Sequence, residues 1–535
     1  MKDLKSPVRP VPGPLYETRP RYAGVLLPVT SLPGPYGIGD LGTEARAFAD
    51  FLSAAGASLW QILPLGPTGY GNSPYAAHSS FAGNELLLSP ELLAADGLLT
   101  NRELTELAER FSPGTGELSG PGVDYGLVRA EKIPRLKKAA RRFLAAARPR
   151  DLRISSGGDF DDFNRFCRAQ AFWLDDYALF QVLHTAYGDA RWHTIWDDAL
   201  AKRDPQALEK IQNEKASEIL EWKVLQYFFE RQWMALREYV NSRGIRIIGD
   251  VPIFAAPDSA DSWTHTGFFC TGPDGKYSVV SGVPPDYFSP TGQLWGNPVY
   301  NWEKLRASGY QWWIDRIRRL LSQVDMFRID HFRGFVEYWA VPAGNPTAER
   351  GAWEKGPGED FFRVLTKELG QLPVLAEDLG FMTEEVRALR DSQGFPGMKV
   401  CQFGFEDMKD GILDSRHLFL PHNYGYPWAA YSGTHDNDTT AGWYSALGDA
   451  DKKTAAAYFN CPPKAGEFAW GMIRALMASH AEYAIFPMQD LLGLGSEARI
   501  NTPGTCGREN WSWRLGTIKA GTAPRFASLV SLYGR

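Results

Sequence analysis

The sequence has few cysteines, no long apolar run and no excess of basic residues, and each absence excludes a class of protein. Five cysteines lie far apart among 535 residues and form no CxxC pair, which argues against a disulfide framework or a zinc knuckle and predicts reduced thiols. A net charge of −6 leaves no extended basic surface for nucleic acid. Residues 1–22 are charged and rich in proline, and no apolar run is long enough to span a bilayer. We therefore expect a cytoplasmic protein with neither nucleic acid nor membrane as a partner.

The order of apolar and amphipathic segments predicts the fold class. Short apolar strands begin near residues 22, 58, 246, 326, 373, 398, 431 and 483, and helical runs separate most of them. Eight strands in this rhythm predict a (β/α)8 TIM barrel, in which active sites lie at the carboxyl ends of the strands. A doubly wound open sheet is the alternative. It would normally carry a glycine-rich phosphate turn after the first strand, and PGPYGIGD at residues 33–40 does not match GxGxxG.

Two insertions are expected to interrupt the barrel. Residues 1–86 would hold an N-terminal arm and the first two strands, and residues 87–242 read as a mostly helical insertion between strands 2 and 3. Residues 243–535 would complete the barrel, with a loop-rich insertion at 255–301 after strand 3. Within this part we expect a helix over residues 301–323 and a strand over residues 398–405. The chain ends soon after strand 8, so no C-terminal β-sandwich is expected.

Four of the predicted strands end in a carboxylate. The stretches RIIGDVPIF, MFRIDHFRG, PVLAEDLG and YSGTHDND contribute Asp250, Asp330, Glu377 and Asp436. Barrel closure would bring these groups to one mouth, although they are far apart in sequence. Arg328 and Asp330 share a face of their strand, so the arginine favours the ionised aspartate. Glu377 and its neighbour Asp378 face opposite ways, and strand parity does not decide which of them enters the mouth.

Several carboxylates around one pocket suit three chemistries: a site for a hard metal ion, proton abstraction, or reaction at a glycosidic bond. A glycosidase requires one ionised carboxylate and one protonated carboxyl group in different environments. The cation of Arg328 disfavours a metal at Asp330, so glycoside chemistry is favoured over a metal site. We expect no metal and no cofactor.

The same stretches resemble a known family. FRIDHFRGF, AEDLG, GTHDND and GDVPIF are similar to the four strand-end regions of the α-amylase clan, in the form found in glycoside hydrolase family 77, the amylomaltases or 4-α-glucanotransferases, also called disproportionating enzymes. Four further stretches are similar to the same family: LPVTSLPGPYGIGDLG, PLGPTGYGNSPY, GVPPDYFSPTGQLWGNP and NTPGTCGRENWSWR. The resemblance implies a retaining double displacement on α-1,4-glucans and maltooligosaccharides. Asp330 would be the nucleophile and Glu377 the acid, their carboxyl groups about 5 to 5.5 Å apart, and Asp436 would bind sugar hydroxyls.

The resemblance also implies which residues bind substrate. Arg328 would hold Asp330 ionised, and His435 and Asp250 would bind or orient the same sugar. A lid over the site would be formed by residues 282–298, which carry Tyr287, Phe288 and Trp295. Contacts on the acceptor side would come from Tyr70, Ser73 and Tyr75. Near the end of the chain, Asn501 and the NWSW segment at residues 510–513 would line the groove.

Two other functions fit the same carboxylates. One is an α-1,4-glucan hydrolase, an amylase or α-glucosidase, on the same barrel. The other is a noncatalytic protein that binds glucan, although three intact acids argue against it.

Overall fold

The structure, a computed structural model, describes residues 19–112, 122–146, 157–188, 191–285 and 289–535. These residues form twelve strands: β1 (Tyr22–Leu26), β2 (Leu59–Gln61), β3 (Arg246–Val251), β4 (Val279–Val283), β5 (Gln293–Pro298), β6 (Met326–Ile329), β7 (Glu337–Pro342), β8 (Ala352–Lys355), β9 (Val374–Ala376), β10 (Gly397–Val400), β11 (Trp428–Tyr431) and β12 (Tyr483–Pro487).

Eight of the strands close a parallel barrel in the order β1-β12-β11-β10-β9-β6-β3-β2. The predicted TIM barrel is therefore confirmed, and the open-sheet alternative is wrong. Two strand boundaries differ from prediction: β11 begins at Trp428 rather than near residue 431, and β10 ends at Val400, where the 3-10 turn Cys401–Phe405 follows. All eight strands are almost fully buried, so an apolar run marks where a strand lies but not where it stops.

Helix α1 (Thr43–Ala54) connects β1 to β2, and nine helices lie between β2 and β3 in the described residues. These nine are α2 (Pro90–Ala95), α3 (Asn101–Glu109), α4 (Tyr125–Ala146), α5 (Gly157–Ala169), α6 (Ala171–Ala186), α7 (Trp192–Ile195), α8 (Asp198–Ala201), α9 (Pro205–Glu214) and α10 (Ala216–Ser242). The long helix α10 joins this insertion to the barrel: Gln226 Nε2 donates to the Gly83 carbonyl at 2.8 Å, and Trp233 Nε1 donates to the Gln323 carbonyl at 3.0 Å. The predicted helical insertion is present, while the exact subdomain limits stay predictions.

Ten further helices follow β3 in the described residues: α11 (Ala260–Thr264), α12 (Trp302–Ala307), α13 (Gln311–Gln323), α14 (Gly358–Leu369), α15 (Glu384–Ser392), α16 (Thr440–Ala446), α17 (Asp449–Tyr458), α18 (Ala465–Ala478), α19 (Met488–Leu492) and α20 (Thr522–Tyr533). Helices α12 and α13 replace a single helix predicted over residues 301–323. The break lies at Gly309 and Tyr310, whose φ angles of 67° and 56° are left-handed and cannot continue a helix.

A second sheet lies outside the barrel. Strands β5, β4, β7 and β8 form an antiparallel sheet in that order. Two of its strands, β4 and β5, fall inside the insertion that the sequence predicted as loop-rich. Glycines in both of these strands and the exposure of every residue of β8 explain why no alternating apolar pattern marks this sheet.

Three expectations concern the remainder of the chain. Residues 488–535, all of which the structure describes, contain helices and no strand, in keeping with the expected lack of a β-sandwich there. All five cysteines are free thiols. Within the described ranges, no helix combines the length and apolar character that crossing a bilayer requires.

Candidate active site

The four predicted carboxylates lie where four barrel strands end. Asp250 is the penultimate residue of β3. Asp330 follows β6 directly, Glu377 follows β9 directly, and Asp436 lies five residues beyond β11. Strands β3, β6 and β9 are neighbours in the barrel, and the register pairs Asp250 with Arg328. The fold therefore brings together at one rim acids that are up to 186 positions apart in sequence, from Asp250 to Asp436.

Arg328 links two of these carboxylates. Its Nη1 donates to Asp250 Oδ1 at 3.0 Å and Oδ2 at 2.7 Å, and its Nη2 donates to Asp330 Oδ1 at 2.6 Å. Burial disfavours the guanidinium charge, but the two carboxylates outweigh it and raise the pKa of Arg328 well above its usual value. The side chain of Asp330 is 31% exposed whereas that of Asp250 is fully buried. Asp330 is therefore accessible to a ligand. Asp250 orients Arg328, which in turn holds the carboxylate of Asp330.

Glu377 is held by backbone donors. Its Oε2 accepts the N–H of His331 at 2.8 Å and its Oε1 accepts the N–H of Leu379 at 2.9 Å. Burial, opposed by Arg328 and reinforced by the negative charge of Asp330, raises the pKa of Glu377 to about 7. A glutamate that is still partly protonated near neutral pH can act as a general acid.

The neighbouring acid, Asp378, faces the other way. Its Oδ1 accepts the N–H of Met398 at 2.7 Å, and its Oδ2 pairs with the buried guanidinium of Arg390. Both of its oxygens are therefore used within the protein. The geometry thus separates the two adjacent acids that strand parity left undecided.

If Glu377 is the general acid, its raised pKa should make activity depend on pH. If Glu377 must be protonated in the free enzyme, kcat/KM should fall about tenfold for each pH unit above a pKa near 7. A pH profile of kcat/KM for maltotriose disproportionation between pH 5 and 9 measures this decrease. A profile that stays flat up to pH 9 would contradict an acid role for Glu377.

Asp436 lies in a cluster of aromatic and amide side chains. Asn501 Nδ2 donates to Asp436 Oδ1 at 2.7 Å, and Asp436 Oδ2 lies 3.4 Å from His435 Nε2. The His435 ring stacks on Tyr75 with ring centroids 5.2 Å apart, and the Tyr75 hydroxyl donates to Asp250 Oδ2 at 2.8 Å. Burial lowers the pKa of His435, so its imidazole is neutral near pH 7. Contacts therefore run without a break from Asn501 through Asp436, His435 and Tyr75 to the carboxylate pair at Arg328.

The other predicted binding residues differ from one another in their exposure and in their contacts. Tyr70 is 81% exposed, with its hydroxyl hydrogen-bonded to the thiol of Cys506. Ser73 Oγ accepts the N–H of Tyr75 at 3.2 Å and so caps the 3-10 turn Pro74–Ala76. Trp295 in β5 is 38% exposed and meets His331 edge to face, with centroids 4.8 Å apart. Tyr287 and Phe288, predicted for the lid, lie outside the described residues.

One residue of the site, His331, was not among the predicted ones, and another, Trp511, was predicted only as a member of the NWSW segment at residues 510–513. His331 has a left-handed φ of 53°, directs its N–H to Glu377 and presents its ring to Trp295. Trp511 packs on both Tyr75 and His435, with ring centroids 5.8 and 5.9 Å away. The sequence signal for each was adjacency: His331 follows Asp330 directly, and Trp511 lies in the aromatic segment after Asn501.

Comparison with known proteins decides the family. The model of glycoside hydrolase family 77, described as 4-alpha-glucanotransferase, matches residues 27–519. The chain belongs to this family. The 4-alpha-glucanotransferase of Synechocystis sp. is 46% identical over 96% of this chain and 98% of its own length, and that of Thermus thermophilus is 46% identical over 93% and 95%. The amylomaltase of Streptococcus agalactiae, solved in complex with acarbose, superposes with a TM-score of 0.88 at 36% identity, covering 96% of this chain and 99% of that one.

Membership of the family confirms the resemblance predicted from the eight motif stretches. It also confirms the predicted class of activity, 4-α-glucanotransfer, in place of a noncatalytic glucan-binding protein. The roles of individual residues stay predictions.

Proposed function

We propose that the protein disproportionates α-1,4-glucans by moving glucan segments between maltooligosaccharides, through a covalent glycosyl intermediate on Asp330. The observation that carries this proposal is a pair of acids in contrasting environments at one rim. Asp330 is partly exposed and hydrogen-bonded by a permanent cation, while the pKa of half-buried Glu377 is raised to about 7. A retaining glycosidic mechanism needs one group of each kind.

In the first half-reaction an Asp330 oxygen attacks the anomeric carbon of the sugar at the cleaved bond. Glu377 gives its proton to the glycosidic oxygen as the bond from that oxygen to the anomeric carbon breaks. The shorter glucan leaves with a free 4-hydroxyl group, and the donor segment remains as an ester of Asp330. Arg328 keeps the attacking carboxylate oriented through the bond from its Nη2 to Asp330 Oδ1.

In the second half-reaction the 4-hydroxyl of an acceptor glucan takes the place of the product that left. The Glu377 carboxylate removes the hydroxyl proton while the oxygen attacks the anomeric carbon, and the ester bond to Asp330 breaks. Two inversions at the same carbon restore the α configuration. Glu377 ends protonated and Asp330 ends ionised, ready for another donor.

Sugar binding in this proposal falls to the Asp436 cluster. Asp436 is 41% exposed, and with Oδ1 held by Asn501 its Oδ2 remains available to a sugar hydroxyl. His435 lies beside it, with its Nε2 3.4 Å from Asp436 Oδ2, and would help to orient the same sugar. The exposed ring of Tyr70 suits stacking on the apolar face of a glucose unit on the acceptor side.

Transfer rather than hydrolysis requires that an acceptor reach the ester before water does. The hairpin of β4 and β5 carries Trp295 against His331, the residue that follows the proposed nucleophile. A tryptophan in this position would exclude water and supply a stacking surface for the acceptor. We therefore assign the lid role to this hairpin.

Incubation of the purified protein with maltotriose tests the proposal. Transfer yields glucose together with maltodextrins longer than maltotriose, and hydrolysis yields only glucose and maltose. Unchanged maltotriose would indicate binding alone. Only the first product pattern, with the α configuration retained in the early products, agrees with the proposed function.

Replacement of Trp295 tests the lid. Trp295→Ala should raise the ratio of hydrolysis to transfer about tenfold, because the variant loses a ring that covers the ester and stacks on the acceptor. The ratio compares two rates on maltotriose: the formation of new reducing ends, which reports hydrolysis, and the transfer of glucose units to an acceptor, which reports transfer. Trp353→Ala is a matched control, since Trp353 lies in β8 of the same sheet and is 39% exposed. Equal ratios in the two variants would remove Trp295 from the lid.

A further inference from the structure

Two histidines and an aspartate from three separate segments of the chain lie close together. His78 lies in the loop between β2 and α2, His184 in helix α6, and Asp258 in the loop between β3 and α11. Their nitrogen and carboxylate ligand atoms all lie within 4.8 Å of one another. In the described part of the chain this is the only such set of three or more His, Cys, Asp or Glu side chains.

We propose that His78, His184 and Asp258 form a binding site for a divalent transition-metal ion such as Zn²⁺. Two imidazoles and one carboxylate are a ligand set that Zn²⁺, Co²⁺ and Ni²⁺ accept and that Mg²⁺ and Ca²⁺, which favour oxygen, do not. Three protein ligands leave the fourth position of a tetrahedral ion to water.

The geometry is close to that of a bound ion. His184 Nε2 lies 2.9 Å from Asp258 Oδ2, and the rings of His78 and His184 have centroids 4.7 Å apart. Tetrahedral ligands about 2.0 to 2.1 Å from zinc lie roughly 3.4 Å from each other, so closure needs movements on the order of 1 Å. The ion would take the place of the proton that His184 and Asp258 share, and that proton would pass to solvent.

The surroundings hold two of the ligands in place. His184 is buried within α6, where its ring stacks on Phe180 at 5.3 Å between centroids. Asp258 Oδ1 accepts the N–H of Trp192 at 3.4 Å, which leaves Oδ2 directed at His184.

The ion would join three separate segments. His78 belongs to the loop that also carries Tyr70, Ser73 and Tyr75, and its own N–H donates to the Pro67 carbonyl at 2.9 Å. His184 belongs to the helical insertion. Asp258 follows the strand of Asp250. A metal at this point would therefore fix the helical insertion to the loop that supplies the acceptor-side residues, as a structural clamp rather than a catalytic centre.

Metal titration of the full-length protein tests the site. Protein freed of metal with a chelator is titrated with Co²⁺, and the visible d–d absorption and the bound Co²⁺ after dialysis are measured. We expect one equivalent bound with tetrahedral-type absorption, displacement by Zn²⁺, and no displacement by a hundredfold excess of Mg²⁺ or Ca²⁺. A melting temperature several degrees higher with Zn²⁺ than with chelator should accompany binding.

Variants then assign the ligands. His184→Gln keeps a donor toward Asp258 but loses the imidazole, and it should weaken Co²⁺ binding at least tenfold and abolish the Zn²⁺-dependent rise in melting temperature. His480→Gln, which changes an exposed histidine elsewhere, should behave as wild type. If His184→Gln does not fold by circular dichroism, His78→Gln gives the same comparison. Absence of binding to wild type, Co²⁺ binding unchanged in the ligand variant, or displacement by Mg²⁺ would each overturn the proposal.

Discussion

Replacement of Asp330 by asparagine is expected to abolish glucan transfer, with a loss of at least about 10⁴-fold in kcat/KM. An amide cannot form the glycosyl ester through which both half-reactions pass. The fold should survive the change, because Arg328 keeps its two bonds to Asp250 and can donate its third to the new amide oxygen. Loss of activity in Asp330→Asn should therefore come without loss of binding.

Three measurements separate these effects. Disproportionation of maltotriose gives the activity, calorimetric titration with maltoheptaose gives glucan affinity, and thermal unfolding reports the fold. Asp449→Asn, an exposed aspartate in the first turn of α17, is the control for the same chemical change far from the rim. Turnover of Asp330→Asn within tenfold of wild type would refute its role as nucleophile.

The part of this site that sequence could predict follows from one property of parallel barrels. Every strand of a closed barrel ends at the same rim, so a carboxylate just after a buried strand is placed there whatever its partners are. Asp330 and Glu377 each follow a strand directly, and both were predicted from that pattern. The barrel was also predictable, because its eight apolar runs are visible in the sequence without any tertiary information.

What sequence left open depends on side-chain partners. Asp250 and Asp330 carry the same strand-end signal, yet one is fully buried beneath Tyr75 and the other is partly exposed. The adjacent acids Glu377 and Asp378 are distinguished by their neighbours, which are two backbone donors for the first and Arg390 with Met398 for the second. Such partners come from distant segments, and no local pattern records them.

Other differences between the predicted and the observed structure concern the backbone. The break between α12 and α13 depends on left-handed angles at Gly309 and Tyr310, and the sequence signal there was a single glycine. The small antiparallel sheet has strands that are partly or wholly exposed, so hydrophobic alternation could not reveal it. The cluster of His78, His184 and Asp258 likewise has no short spacing that a motif could contain.

Replacement of Glu377 by glutamine is expected to lower kcat/KM on maltotriose about 10³-fold, because the departing sugar alkoxide then leaves without a proton. Glutamine also turns its NH₂ group toward one of the two backbone N–H donors that the carboxylate accepts, from His331 and Leu379. Loss of that hydrogen bond should lower the free energy of unfolding by about 1 kcal/mol. Thermal unfolding measures this cost separately from the chemistry.

A donor with a good leaving group distinguishes the two acids. Fluoride needs no protonation to depart, so α-maltotriosyl fluoride should form the glycosyl ester in Glu377→Gln at a rate within about tenfold of wild type, whereas Asp330→Asn should fail with both donors. Fluoride release in single-turnover experiments measures this step directly. Because glutamine cannot activate an acceptor hydroxyl, the ester should accumulate in Glu377→Gln and be visible by mass spectrometry as one glucan-modified Asp330. If Glu377→Gln instead lost fluoride release to the same extent as maltotriose turnover, Glu377 would act in binding or positioning and not as the acid.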